Sequence, residues 1–174
     1  MSGSATTPPL PAAGRWVLDP HRTRIATRTR AMFGLFSVTG RFRLKAGEIV
    51  VGTDPAACSV WATVDANSFE SGNARRDGDV ISAALLDAES HPDIVFRSSP
   101  VRGDGDSWVV TGDLTIHGMT RPLELAVSTP EAEGGTARIS AAARLDRRQF
   151  GITGKRGMVG NDVRLLIDAV ASAS

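Results

Sequence analysis

Between Thr111 and Leu125 the chain reads TGDLTIHGMTRPLEL, which sets His117 among Asp113, Thr115 and Arg121. An imidazole can move a proton near neutral pH or hold a metal ion. Catalysis needs more than the ring, because a nucleophile or carboxylate must be fixed against it. The nearest carboxylate in sequence is Asp113, four positions earlier. Gly118 suits a tight reversal and Pro122 the start of a returning strand. The stretch therefore reads as a hairpin with His117 in its turn. Its rival is an enzyme acting on a small lipid-like substrate, with His117 or His21 as the base.

Other chemically capable residues are scattered. His21 and His91 stand beside prolines, and no two histidines are spaced at i, i+4, so no metal set is expected. The one cysteine, Cys58, has no partner for a disulfide and reads as a small buried hydrophobe. There is no G-x-S-x-G elbow, no H-E-x-x-H and no Walker loop. The stretch GITGKRGMVGN places Gly151, Gly154, Gly157 and Gly160 at every third position, with Lys155 and Arg156 between them. Glycine-freed amides beside two cations could cradle a pyrophosphate. The run opens no helix, however, and reads better as the loop before the last strand. In RTRIATRTR, Arg22, Arg24, Arg28 and Arg30 lack the interleaved aromatics of a nucleic-acid surface. They read as a solvated exterior.

The chain that must position these residues has 174 residues, 41% of them hydrophobic, which fits a single domain with a real core. Twenty basic and 19 acidic residues leave a net charge of +1, with no global field to recruit nucleic acid or an anionic membrane. Eighteen of the basic residues are Arg. The opening MSGSATTPPLPAAG (1–14) reads as a disordered tail and 15–174 as the folded domain. With no secretory run and no stretch of about 20 apolar residues, the expectation is a soluble cytoplasmic protein without an integral membrane span.

From Trp16 onward the hydrophobic period is two. Ile139, Ala141, Ala143 and Leu145 alternate with Arg138, Ser140, Ala142 and Arg144, the pattern of a half-buried strand. Similar alternation runs through Ile25–Met32, Phe42–Val51, Val60–Val64, Ile94–Phe96, Trp108–Ile116, Leu123–Val127 and Val163–Ala169. Turns are expected at Lys45-Ala46-Gly47, at Gly52 to Pro55, at Arg102 to Asp106 and at Glu133-Gly134-Gly135. Only Ala74 to Glu89 has helical spacing, in Val80, Ile81, Ala84, Leu85 and Ala88. The fold class is all-β: about eight strands closed into an antiparallel barrel, with a short helical insertion. A two-sheet sandwich is the alternative. Small inward residues, Ala62, Gly112, Ala141 and Ala143, argue for space inside. The expected lining is Phe33, Phe36, Phe42, Val64, Phe69, Leu85, Phe96, Trp108, Leu114, Ile116, Ala141, Ala143, Leu145 and Phe150. Arg75, Arg76, Arg148 and Lys155 are the cations for a charged head group.

Five ordered stretches, WVLDPHRT, GLFSVTGRF, NSFESGNARRDGDVIS, HPDIVFRSS and GDLTIHGMTRPLEL, resemble the YceI family of lipocalin-like proteins, as does the later RRQFGI. The resemblance spans nearly everything from Arg15 to Val170. It implies a lipocalin-like barrel whose lumen takes a long isoprenoid chain, such as a polyprenyl phosphate or a quinone. It implies carriage rather than catalysis, with no cofactor. It also implies that the hydrophobic-x-H-G-hydrophobic-T-x-P element, here Ile116 to Pro122, is a hairpin. Many relatives carry a histidine where this chain has Arg30-Ala31-Met32-Phe33, so no head-group role passes to that position. Many relatives are exported. A module acting through homodimerisation, indifferent to apolar ligands, is a third reading.

Overall fold

The computed structural model describes residues 11–98, 101–104, 107–128, 130–155 and 157–174. Residues 1–10 of the expected tail, Gly105 and Asp106 of one expected turn, and Arg156 of the glycine-rich loop lie outside that set.

Among the described residues, eleven strands and one short α-helix follow in order: β1 (Gly14–Leu18), β2 (Arg24–Ala31), β3 (Phe36–Val51), β4 (Ser59–Glu70), α1 (Ala74–Ile81), β5 (Asp93–Ser98), β6 (Arg102–Asp104), β7 (Ser107–Ile116), β8 (Met119–Ser128), β9 (Glu131–Glu133), β10 (Thr136–Asp146) and β11 (Asp162–Ala173). Antiparallel pairing runs β11-β2-β3-β4-β5-β7-β8-β10, and β10 pairs back onto β11. An eight-stranded antiparallel barrel is thereby closed, leaving none of these strands as an open edge. β1 pairs with both β11 and β3 beyond the start of β2, so β1 and β2 share one position in the wall. The turn joining them is held by Asp19, whose side chain accepts from the N–H groups of His21 and Arg22. Among the described residues no helix is long and apolar enough to cross a membrane.

Three local expectations need correction. Lys45-Ala46-Gly47 is not a turn: β3 runs through it with a register shift between Leu44 and Ala46. A Cβ on Gly47 would lie 2.5 Å from Leu18 Cδ1 and 2.9 Å from the Trp61 carbonyl. The glycine there serves close approach at a bulge rather than reversal. The helix is also shorter than its apolar spacing suggests. Asn73 caps its start by accepting from Arg76 N–H, and Ser82 ends it with extended backbone. Gly78 and two aspartates make α1 a weak helix former. Beyond it, Leu85, Leu86 and Ala88 are buried through turns, where tertiary packing overrides the helical spacing. Cys58 is half-buried rather than buried, its Sγ accepting from Gly52 N–H at 3.4 Å.

Candidate functional site

The inward faces of the barrel strands do not meet. They enclose a cavity of about 910 Å³, near the upper end of the roughly 300–1,000 Å³ usual for ligand sites. At about 30 Å³ for a water-sized group in a liquid, it has room for roughly thirty such groups. The wall is overwhelmingly apolar, built from side chains such as Ile25, Val38, Leu44, Ile94, Val110, Leu125, Ile139, Leu165 and Ile167. Ala62 and Ala141 keep it wide. The hydroxyls of Thr23, Thr27 and Thr29 on the lining are engaged by the carbonyls of Val170, Gly40 and Asp162. Trp108 Nε1 is buried without a hydrogen-bond partner among the described residues.

The cavity meets solvent at the end of the barrel that carries α1, where the exposed side chains of Met32, Arg75, Arg76, Asp79, Lys155 and Met158 line it. This mouth is organised by a residue that sequence reasoning passed over. Arg147, 4% exposed, turns its guanidinium into the glycine-rich loop. It donates to the carbonyls of Gly160 (3.0 Å), Ile152 (3.0 Å), Gly154 (2.7 Å) and Val159 (3.0 Å). Burial holds its pKa below the usual arginine value. The same loop's carbonyls at Gly157 and Met158 accept from Phe33 and Met32 N–H, joining it to the turn between β2 and β3. Arg147 thus sets one side of the mouth, and its signal in the sequence is its place just past β10, as the first residue of RRQFGI.

Most of the expected lining is brought together. Phe42, Val64, Phe69, Leu85, Phe96, Trp108, Leu114, Ile116, Ala141 and Leu145 all line the lumen, as do Arg75, Arg76 and Lys155 at its mouth. Five positions fall elsewhere. Phe33 is exposed on the turn between β2 and β3, and Phe36 is exposed as the first residue of β3, opposite Ala31 at the rim of the wall. Phe150 is 1% exposed and packs in the same apolar cluster as Leu114, Ile116, Leu123 and Ile152. Ala143 shares the inner face of β10 with Ala141 and Leu145, but its short methyl is buried in that cluster and does not reach the open space. Arg148 pairs with Asp146 at 2.7 Å and faces a separate hollow with Thr153, Gly157 and Asn161. Gly112 creates no room either. A Cβ there would lie 2.6 Å from Phe96 Cζ, so the glycine lets that ring lie across the strand. The lining also includes Thr27 and Thr29, readable in RTRIATRTR as residues alternating with exposed arginines, and Ala31 just after that stretch.

The histidines lie outside the lumen. His117 has φ 55 and Gly118 φ 72, closing a two-residue turn in which Ile116 pairs with Met119. His91 sits against it from the segment before β5, and Asp87 completes a group whose donor atoms lie within 4.8 Å of one another. These are the described residues that could hold a small cation. His117 Nδ1 lies 3.3 Å from the Phe150 carbonyl; a proton on Nδ1 would make this a hydrogen bond and leave Nε2 free. His21 is exposed on the turn before β2.

The model of the YceI-like domain matches residues 16–171. A UPF0312 protein of Pectobacterium atrosepticum is 33% identical over 119 residues, a match covering 66% of this chain and 62% of that relative. The protein YceI of Salmonella arizonae is 31% identical with the same coverage, so the chain spans less than two thirds of the length of these relatives. Among solved structures, Burkholderia cenocepacia BcnA superposes with a TM-score of 0.77 at 25% identity, covering 89% of this chain and 99% of BcnA. A polyisoprenoid binding domain from Saccharophagus degradans, implicated in plant cell wall breakdown, gives a TM-score of 0.70 at 15% identity over 91% of this chain and 98% of the domain. At that identity the second likeness speaks for the fold.

Proposed function

This chain belongs to the family of YceI-like domains, and from that premise we propose that it is a non-enzymatic carrier of a long apolar ligand of isoprenoid type, a polyprenyl phosphate or a quinone. The observation that carries the reading is the lumen: about 910 Å³ of space behind a wall almost free of unmet polar groups. Polar ligands would lose hydrogen bonds to water there and gain few in return. A hydrocarbon chain gains about 25 cal/mol for each Å² of apolar surface it hides from water. Arg75, Arg76 and Lys155 stand at the mouth, where a phosphate would emerge. A neutral quinone would be held by the lumen alone.

Catalysis inside the barrel has less to work with. None of the three histidines lines the lumen, which leaves the reading of a histidine base acting there without its base. The likeness in fold to a domain described as polyisoprenoid binding supports carriage. Organic extraction and native mass spectrometry of the purified chain, after exposure to prenyl lipids, test the proposal. A stoichiometric prenyl lipid should be retained. A lumen that stays empty after repeated exposure would sink it.

A further inference from the structure

The turn between β2 and β3, together with the first residue of β3, holds large apolar side chains in water. Phe33 is 81% exposed, Leu35 78% and Phe36 61%, with Met32 and Met158 nearly half exposed beside them. Scattered apolar residues on a surface need no explanation, but a contiguous group beside a cavity mouth marks a contact surface. The turn is held in place. Met32 and Phe33 N–H donate to the Met158 and Gly157 carbonyls, and the Arg30 guanidinium donates to the Gly34 carbonyl at 3.2 Å. Both Met32 and Phe33 have positive φ, at 53° and 57°. Non-glycine residues adopt that conformation only at a cost, so the fold stabilises a geometry that leaves the Phe33 ring in solvent.

Cations gather around this tip. Arg30, Arg75, Arg76 and Lys155 are exposed near it or at the mouth. Of the acidic groups on α1, Asp77 is engaged by Ser71, which leaves Asp79 facing them. The whole chain has a net charge of only +1, so the positive character is local. Aromatic and aliphatic side chains flanked by Lys and Arg are the pattern of a surface that enters the headgroup region of an anionic bilayer.

We propose that the tip formed by Phe33, Leu35 and Phe36 docks this protein on an anionic lipid surface, with the mouth opening onto the bilayer. This inference rests on the carrier reading, because a long apolar ligand has to be taken from an apolar phase and returned to one. Met32 and Met158 connect the two surfaces, being both exposed at the tip and part of the lumen lining. A bilayer suits the tip better than a second copy of the chain. Two copies meeting by this face would set the same cations against each other, a like-charge contact that weakens association.

The test is co-sedimentation of the ligand-free full chain with phosphatidylcholine vesicles, with and without phosphatidylglycerol. It is run on the wild type and on a Phe33→Asn, Leu35→Ser double variant. Neither substituted residue lines the lumen, and Asn tolerates the positive φ at 33. The wild type should bind the phosphatidylglycerol vesicles, and less so as salt rises. The variant should lose about tenfold or more in affinity, since each side chain forfeits a hydrophobic contact, while still taking up a prenyl lipid presented in detergent. That uptake also shows the variant is folded. Wild type that binds neither vesicle, or a variant that binds as well as wild type, overturns the proposal. So does self-association that the double substitution abolishes, because the tip would then belong to a second copy. Vesicle binding without any lipid uptake from detergent would defeat the carrier reading and leave docking standing.

Discussion

The ring of His91 meets that of His117 edge to face, with centroids 5.1 Å apart and planes at 64°. One ring comes from the segment before β5 and the other from the β7–β8 turn, so the pair fastens the covering of the barrel end to the hairpin beneath it. His91→Ala should therefore lower stability by about 0.5–1.5 kcal/mol, the range of such ring pairs, and leave prenyl-lipid affinity unchanged. Denaturant midpoints and a lipid titration check both parts. A loss of lipid binding at unchanged stability would instead place His91 in the site.

Ala141 and Ala143 stand two residues apart on the inner face of β10, yet only Ala141 reaches the open lumen. Ala143→Phe should overpack the cluster at a cost of roughly 1–3 kcal/mol. Ala141→Phe should enter free space, hold stability and displace ligand volume. Thermal melts without ligand separate the two; equal destabilisation by both would mean that the lumen is packed at Ala141.

Gly40 admits the ring of Phe69, because a Cβ at position 40 would lie 2.0 Å from Phe69 Cε2. Gly40→Ala must push that ring off Phe42, its neighbour at 5.2 Å. The expected result is a loss of about 1–3 kcal/mol, which a second change, Phe69→Leu, should largely recover. A double-mutant cycle reads the coupling. Additive losses would show that the two residues do not share the space.

Arg147 holds the loop that carries Lys155 and Met158 by four hydrogen bonds to carbonyls. Arg147→Lys keeps the charge but lacks the planar fork, so most of those bonds go. Each bond to a charged group is worth about 1.5–3 kcal/mol and they are not additive, so a loss of about 3 kcal/mol is expected. Hydrogen exchange at the Met32 and Phe33 amides should speed up in the variant, since their acceptors lie in the same loop. Unchanged exchange would uncouple the loop from the tip.

Asp146 is held below its ordinary carboxylate pKa, first by its side-chain bonds to Arg148 and then by the Arg148 backbone N–H. A depressed folded-state pKa means stabilisation that is present above the unfolded value of 3.8 and is lost as pH falls through the lower folded value. Asp146→Asn should therefore be less stable than wild type near neutral pH, and the gap should close only below about pH 4. Midpoints measured along an acid series test the sign; a gap that widens on acidification contradicts the pairing.

Much of this molecule is written along the chain. Alternation of period two in segments such as Arg138 to Leu145 is enough to specify strands with one wet and one dry face, and antiparallel closure follows from the turns between them. The His117–Gly118 hairpin and most of the apolar lining are legible for the same reason, since a residue's face in a strand is a local property. What the sequence does not contain is distance across the barrel. Whether an inward methyl meets a neighbour or open space depends on side chains from other strands, and so Ala141 lines the lumen while Ala143 is packed. Phe33 and Phe36 look like core by type, but Phe33 stands on the turn past β2 and Phe36 opens β3 at the rim of the barrel, so both stay exposed. Arg147 looks like one more arginine of eighteen until the loop folds over it, because a guanidinium is stable out of water only where carbonyls from several turns of chain converge on its donors.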